Sequence, residues 1–204
     1  MQCVWHAVNL ILTTSLCEMV ERSLGDVIRG MTSNSIRPVR PSEIEPARSI
    51  LDAAYSQYKT MFPPENWGPY LADILDIEGR SEVSELLIAE RNNSIVGCIS
   101  LYPPGAQMSY PSDNYSAHWP REWAAIRLLA VDPSARGEGI GRALTQVCIE
   151  RAVAAGAPAI GLHTTKEMAV AQSMYERMGF ERAPEYDFRP GPTILAEAYC
   201  LMLT

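Results

Sequence analysis

The sequence predicts an α/β chain of the α+β kind, built as a single domain, and three observations predict it. At 204 residues the chain is long enough to bury a sizeable core without a metal or disulfide staple. Short apolar runs suited to strands alternate with stretches of helical periodicity, in the order strand, two helices, hairpin, strand, helix, strand, helix, strand, strand. Finally, residues 128–144 read Leu-Leu-Ala-Val-Asp-Pro-Ser-Ala-Arg-Gly-Glu-Gly-Ile-Gly-Arg-Ala-Leu. This is a buried-strand run stopped by Asp132-Pro133, then Gly137, Gly139 and Gly141 at alternate positions, then an apolar periodic segment that reads as a helix.

Taken in order, residues 1–34 form an extension whose nature has two readings. Val8, Ile11, Leu12, Leu16, Met19, Val20, Leu24, Val27 and Met31 fall on one helical face, which predicts a helix packed on the domain or on a second subunit of a homodimer. Alternatively, translation starts at Met31, and Thr32-Ser33-Asn34 is a short polar lead into the first strand. The apolar part of the extension has neither the charged start of a signal peptide nor the roughly twenty residues of a membrane span. The domain proper is expected over 35–204. Residues 36–40 suit a strand, and Ser42-Glu43-Ile44-Glu45 is a capping-box signature opening a helix through about residue 58. Met61-Phe62-Pro63-Pro64 breaks that helix, and a second is expected over 66–77.

Residues 85–91 and 95–102 suit strands flanking a hairpin turn at Asn92-Asn93-Ser94. A long loop rich in Pro, Ser and Tyr follows over 103–122, a length usually found at functional sites. Strand 123–131 leads into the glycine turn and its helix, which ends at Ala155-Gly156-Ala157-Pro158. A strand at 159–163, a helix over 167–178 stopped by Gly179, and strands at 180–188 and 194–203 complete the domain.

Charge and cysteine usage exclude several classes. A net charge of −7 argues against non-specific nucleic-acid binding and against a polybasic membrane patch. The five cysteines are odd in number, widely spaced and free of any Cys-x-x-Cys, so neither a disulfide framework nor a zinc site is indicated. No metal is expected, and a reducing cytoplasm is the natural home.

Strand, glycine-rich turn and helix together make an anion site. Glycines let backbone approach a ligand, and the free N–H groups of the helix start point at it. Spacing decides between phosphate loops. A Walker loop needs a lysine that is missing here, and a dinucleotide fingerprint would put its third glycine at Arg142. What remains is Arg/Gln-x-x-Gly-x-Gly/Ala, matched by Arg136, Gly139 and Gly141. With this motif the chain resembles the GNAT family of acetyl-coenzyme A-dependent N-acetyltransferases. The resemblance implies a mixed, mostly antiparallel central sheet flanked by helices, with acetyl-CoA as co-substrate. It implies a coenzyme site made by Leu129 and Val131 through backbone groups and by Arg136, Gly137, Gly139, Ile140, Gly141 and Arg142 around the pyrophosphate. Arg136 and Arg142 also fit solvated surface arginines.

A second stretch, Ala171-Gln172-Ser173-Met174-Tyr175-Glu176-Arg177-Met178-Gly179-Phe180, resembles the family pattern Ala-x-x-Leu-Tyr-x-x-x-Gly-Phe. By resemblance Tyr175 hydrogen-bonds the departing thiolate. A phenol near pKa 10 against a thiol near 8.5 makes full proton transfer uphill by roughly 2 kcal/mol, so Tyr175 is expected to act as a donor rather than a strong acid. Where many relatives carry asparagine three residues before the alanine, this chain has Met168.

The acceptor is expected to be a primary amine of a small molecule or peptide that attacks the thioester directly. An alkylammonium near pKa 10.4 is about 99.9% protonated at pH 7 and must lose a proton first. Where many relatives carry glutamate at the start of the strand, this chain has Ala125, which leaves Glu122 as the nearest carboxylate and His118 and His163 as other candidates. Period-two alternation turns Glu122 away from position 125 unless the strand starts after it or carries a bulge. Tyr102, Tyr110, Tyr115 and Trp119 would either line an acceptor pocket or cover the sheet. Two function classes follow: an N-acetyltransferase, or a non-catalytic module that binds an acyl-coenzyme A as a sensor or partner protein.

Overall fold

A computed structural model describes residues 35–106, 108, 119–189 and 194–203. The expectations for 1–34 and those resting on Tyr110, Tyr115 and His118 lie outside the described residues. The elements are β1 (Ser35–Pro38), α1 (Ile44–Tyr55), α2 (Pro64–Leu75), α3 (Ile77–Ser81), β2 (Glu85–Arg91), β3 (Ser94–Tyr102), β4 (Ala124–Val131), α4 (Ile140–Ala154), β5 (Ala159–Thr164), α5 (Ala169–Arg177), β6 (Glu181–Arg182) and β7 (Glu197–Met202). Among the described residues, seven strands form one sheet in the order β1-β2-β3-β4-β5-β7-β6. All pairs are antiparallel except β4 with β5. This is the mixed, mostly antiparallel sheet flanked by helices that the family resemblance implies.

Alternation along the strands builds two cores. Leu86 and Ile88 of β2 pack with Ala47, Ile50, Leu51 and Ala54 of α1 and Ile74 of α2. Leu87 and Ala89 face the other way, toward Ile140, Leu144 and Cys148 on one stripe of α4. Asn92 and Asn93 take φ of 50° and 61°, the left-handed conformation a tight hairpin turn needs, so the β2–β3 turn forms where the sequence puts it.

Several elements differ from expectation: the first helix is α only over Ile44–Tyr55 and has no side-chain cap from Ser42, and the last strand is Glu197–Met202. The second helix begins at Pro64, whose missing N–H costs nothing in a first turn. It ends at Leu75, and a separate one-turn α3 starts where the Asp76 carboxylate accepts from the Gly79 N–H at 3.0 Å. Buried Arg80 closes the end of α2 by donating to the Asp73 and Ile74 carbonyls, which complements the negative end of the helix. The strand expected at 180–188 shrinks to Glu181–Arg182, because Pro184 opens a 3-10 turn and cannot donate to a ladder. The Arg182 guanidinium then grips both oxygens of Asp187 at 2.8 Å, and the chain rejoins the sheet as a single bridge, Phe188 to Ala196. The last helix starts at Ala169, after a 3-10 turn at Lys166–Met168.

One irregularity shapes the centre of the sheet. Ser100 pairs with Arg127 and Cys98 with Ala130, so Leu128 and Leu129 together stand opposite Ile99. This is a β-bulge, and Leu128 at φ 57° sits in a conformation few non-glycine residues adopt. The bulge reverses the alternation of β4. Ala124 and Ile126 join the core beside α4, whereas Leu128 and Ala130 join the core beside α1. Beyond it the sheet opens: β4 pairs with β5 only through Ala124–Ile126 against Ile160–Leu162, while β7 follows β5 along its whole length.

Candidate active site

The opening between β4 and β5 is a wedge, and a cavity of about 480 Å³ occupies it. One wall is β4 from Ile126 to Val131, and the other is β5 from Leu162 to Thr164. Every second residue of a strand turns its N–H and C=O to one edge, so the edge of β4 that loses its partner can hydrogen-bond an extended ligand. The Leu129 carbonyl accepts a long bond, 3.5 Å, from the Tyr55 hydroxyl.

The start of α4 closes one end of the wedge. The Asp132 carboxylate accepts from the Ser134 N–H at 2.8 Å and from its hydroxyl at 2.5 Å, which fixes the turn and holds the carboxyl below its usual range. Gly137 and Gly139 both take φ of 80°, and Gly139 is the N-cap of α4. A Cβ on either would meet no protein atom within 4 Å, so open space lies in front of the free N–H groups of the helix. Glu138, between the two glycines, would repel an anion there, but its carboxylate is paired with Arg91. Gly141 is already inside the helix, where a Cβ would stand 3.5 Å from a Leu129 methyl and from the Met174 sulfur. The exposed Arg136 and Arg142 stand at the rim, and Arg136 donates to Gln57 at 3.3 Å.

Each residue that the resemblance assigns to the coenzyme, Leu129, Val131, Arg136, Gly137, Gly139, Ile140, Gly141 and Arg142, lines this one cavity. Tyr175 lines it too, 5% exposed, with its ring edge-on to Phe180 at 5.6 Å. Burial pushes its phenol well above the ordinary value, so it stays a protonated donor. Sequence reasoning did not single out Tyr55, Tyr58 or Thr164, which also line the cavity. Tyr55 belongs to the apolar stripe of α1 and reads as core; Thr164 is one strand residue among many. Yet the Thr164 hydroxyl is buried without a hydrogen-bond partner, an orphan at the wall of the wedge.

Glu122 is the candidate that the structure does not bring to the cavity. It is exposed in the turn before β4, and the strand starts only at Ala124, so the alternation argument does not reach it. Ala125, 3% exposed, offers no functional side chain in its place. His163 does line the cavity. Its Nε2 lies 2.9 Å from the Tyr186 carbonyl, and Trp119 covers one side of the ring at 4.9 Å between centroids. Trp119 lies flat over β5: a Cβ at Gly161 would come within 2.6 Å of its ring carbons, so only glycine fits beneath it. Trp119 therefore covers the sheet, and Tyr102 is buried away from the cavity. Arg127, also on the wall, is ion-paired with Asp73 of α2 at 2.7 Å, with side chains only 10% and 14% exposed.

A split sheet, a free strand edge and a glycine-opened helix start define a protein that holds a long ligand with an anionic end across the middle of its fold. Residues 48–180, more than half of the chain, match the family model described as "Acetyltransferase (GNAT) family", and the chain belongs to that family. It is 31% identical over 103 residues to a mycothiol acetyltransferase of Gordonia bronchialis, a match that takes in 47% of this chain and 32% of the relative. The chain spans about a third of the length of the curated relatives it matches. Among solved structures, it is similar to the PaiA N-acetyltransferase of Thermoplasma acidophilum in complex with coenzyme A, with TM-score 0.61 and 15% identity over 81% of this chain and 98% of that one. It is also similar to a GNAT family acetyltransferase of Brucella melitensis in complex with acetyl-CoA, with TM-score 0.55 and 20% identity over 84% and 89% of the two chains.

Proposed function

We propose that residues 35–204 form an N-acetyltransferase that moves the acetyl group of acetyl-CoA to a primary amine of a small molecule or peptide by direct attack, in the cytoplasm and without a metal. The observation that carries this reading is a single cavity that joins the glycine-opened helix start to the buried Tyr175 hydroxyl along the free edge of β4. The residues fit the donor substrate. Open space in front of Gly137 and Gly139 suits a pyrophosphate, Arg136 and Arg142 supply positive charge at the rim, and the orphaned Thr164 hydroxyl suits a polar group of the pantetheine arm. The coenzyme supplies an acyl thioester, already reactive toward an amine. The protein's part is to hold it along β4, to offer a backbone N–H at Leu129 to the thioester oxygen as it gains charge, and to offer the Tyr175 hydroxyl to the leaving sulfur.

One observation favours a second reading, the non-catalytic acyl-CoA-binding module: Ala125 and the exposed Glu122 leave the cavity without a carboxylate base among the described residues. An amine library screened with acetyl-CoA and read by thiol release separates the two. Acceptor-dependent release supports the enzyme, and coenzyme binding without release by any amine supports the module.

A further inference from the structure

If the chain is an N-acetyltransferase, a proton must leave the acceptor nitrogen, and the titratable side chains on the cavity wall among the described residues are tyrosines, arginines and His163. The guanidinium group has no lone pair to offer and stays charged. Burial pushes the phenols of Tyr55, Tyr58 and Tyr175 upward, so they keep their protons. We propose that His163 takes the proton of the acceptor amine through Nδ1, with its ring set for that task by the Tyr186 carbonyl and Trp119. This inference rests on the enzymatic reading above.

The geometry is specific. A carbonyl can only accept, so the 2.9 Å contact puts the ring hydrogen on Nε2 and leaves Nδ1 as a bare acceptor. The ring is held between Trp119 at 4.9 Å and Phe188, which meets it edge-on at 4.9 Å. His163 follows Leu162, the last residue of β5 that pairs with β4, so it stands where the wedge opens. Leu162 and Tyr175 belong to the core beside α4, and alternation turns His163 to the opposite face, the one Trp119 covers at Gly161. The two side chains thus reach the wedge from opposite faces, His163 from the acceptor side and Tyr175 from the side of the departing sulfur.

Charges around His163 favour its neutral form. Burial is the largest influence and lowers the value; the hydrogen bond to the Tyr186 carbonyl and the Asp187 charge favour the cation, Arg127 on β4 and Arg182 in β6 disfavour it, and the result is a value lowered to about 4. Such a base does not strip an alkylammonium of pKa about 10.4 before attack. It takes the proton from a neutral amine as the C–N bond forms and the C–S bond breaks, when that N–H becomes acidic. The thiolate leaves with a hydrogen bond from Tyr175 and gains a proton from solvent, and His163 returns its own to solvent. The products are one acetamide and one free thiol. The acidic limb of kcat/KM should accordingly follow the pKa of the acceptor and move when the acceptor is changed.

His163→Gln keeps an N–H for the Tyr186 carbonyl and removes the Nδ1 acceptor. With an amine found by the screen, its kcat/KM is expected to fall by about 10²- to 10⁴-fold, while coenzyme A affinity and melting temperature stay near wild type. Added imidazole should restore part of the activity of His163→Ala. Wild-type turnover in His163→Gln overturns the inference and leaves the enzymatic reading intact. A wild-type protein that acetylates no amine overturns both. Nitrogen NMR of the wild-type protein gives a readout independent of any variant: a neutral ring with hydrogen on Nε2 at pH 7 is expected, and an imidazolium or an Nδ1–H tautomer there overturns the inference.

Discussion

Gly139→Ala tests the phosphate cradle with an internal control. The added methyl meets no protein atom within 4 Å, so its intramolecular cost is the left-handed backbone alone, about 1–2 kcal/mol for an L-residue at φ 80°. For a domain of this size each kcal/mol lowers the melting temperature by about 2–4 °C, so a drop of roughly 2–8 °C is expected. Gly156 sits at the other end of α4 with φ 73° and likewise nothing within 4 Å, but it is not on the cavity wall. Gly156→Ala should therefore show the same loss of stability. Only Gly139→Ala puts a methyl into the open space before the helix start. If a pyrophosphate lies there, losing one charge-assisted hydrogen bond, about 1.5–3 kcal/mol, should weaken coenzyme A binding by roughly ten- to a hundredfold in calorimetry. Gly139→Asp adds repulsion at the positive end of the helix and should abolish binding. Equal affinities in wild type, Gly139→Ala and Gly156→Ala would refute the cradle.

Tyr175→Phe removes a hydroxyl with little packing volume; kcat should fall by roughly ten- to a thousandfold with little change in the coenzyme KM, as stopped assays at varied acetyl-CoA would show. Asp73→Ala breaks a largely buried ion pair and leaves the Arg127 charge in place, so denaturant unfolding should show a loss of about 2–4 kcal/mol. Because folded His163 sits at about 4 against 6.5 when unfolded, the unfolded chain binds more protons between those values, and stability should fall as pH drops from about 6.5 to about 4. The gap sets a ceiling of about 3 kcal/mol, and His163→Gln should flatten that part of the stability–pH curve. A chain beginning at Met31 should keep the melting temperature and coenzyme A affinity of the whole chain; aggregation on size exclusion would show that the apolar face of residues 8–31 is needed.

Much of the site was legible because it is local chemistry. Asp132-Pro133, the alternate glycines and the periodic run after them fix a strand end, a turn and a helix start within a dozen residues, and the cavity forms around them. Tyr175 was legible through its motif, and the hairpin through Asn92 and Asn93, whose left-handed backbone the turn demands.

What the tertiary structure alone decided are the meetings between distant parts of the chain. The wedge depends on a bulge at Leu128, an ordinary leucine in an apolar run whose composition carries no mark of positive φ. That bulge turns β4 over from Leu128 onward, and the packing of α2 on the sheet puts Asp73 against Arg127, 54 residues away. His163 met Tyr186 because the stretch expected as a strand over 180–188 breaks at Pro184, and it met Trp119 because that ring, from the residues before β4, lies over Gly161. Glu122, nearest in sequence to the needed position, fell outside because the strand began two residues after it. Sequence spacing fixes turns, caps and faces, whose energies depend on neighbours along the chain. Which side chains share a cavity depends on where a sheet twists and splits, and that is set by packing between residues the sequence keeps far apart.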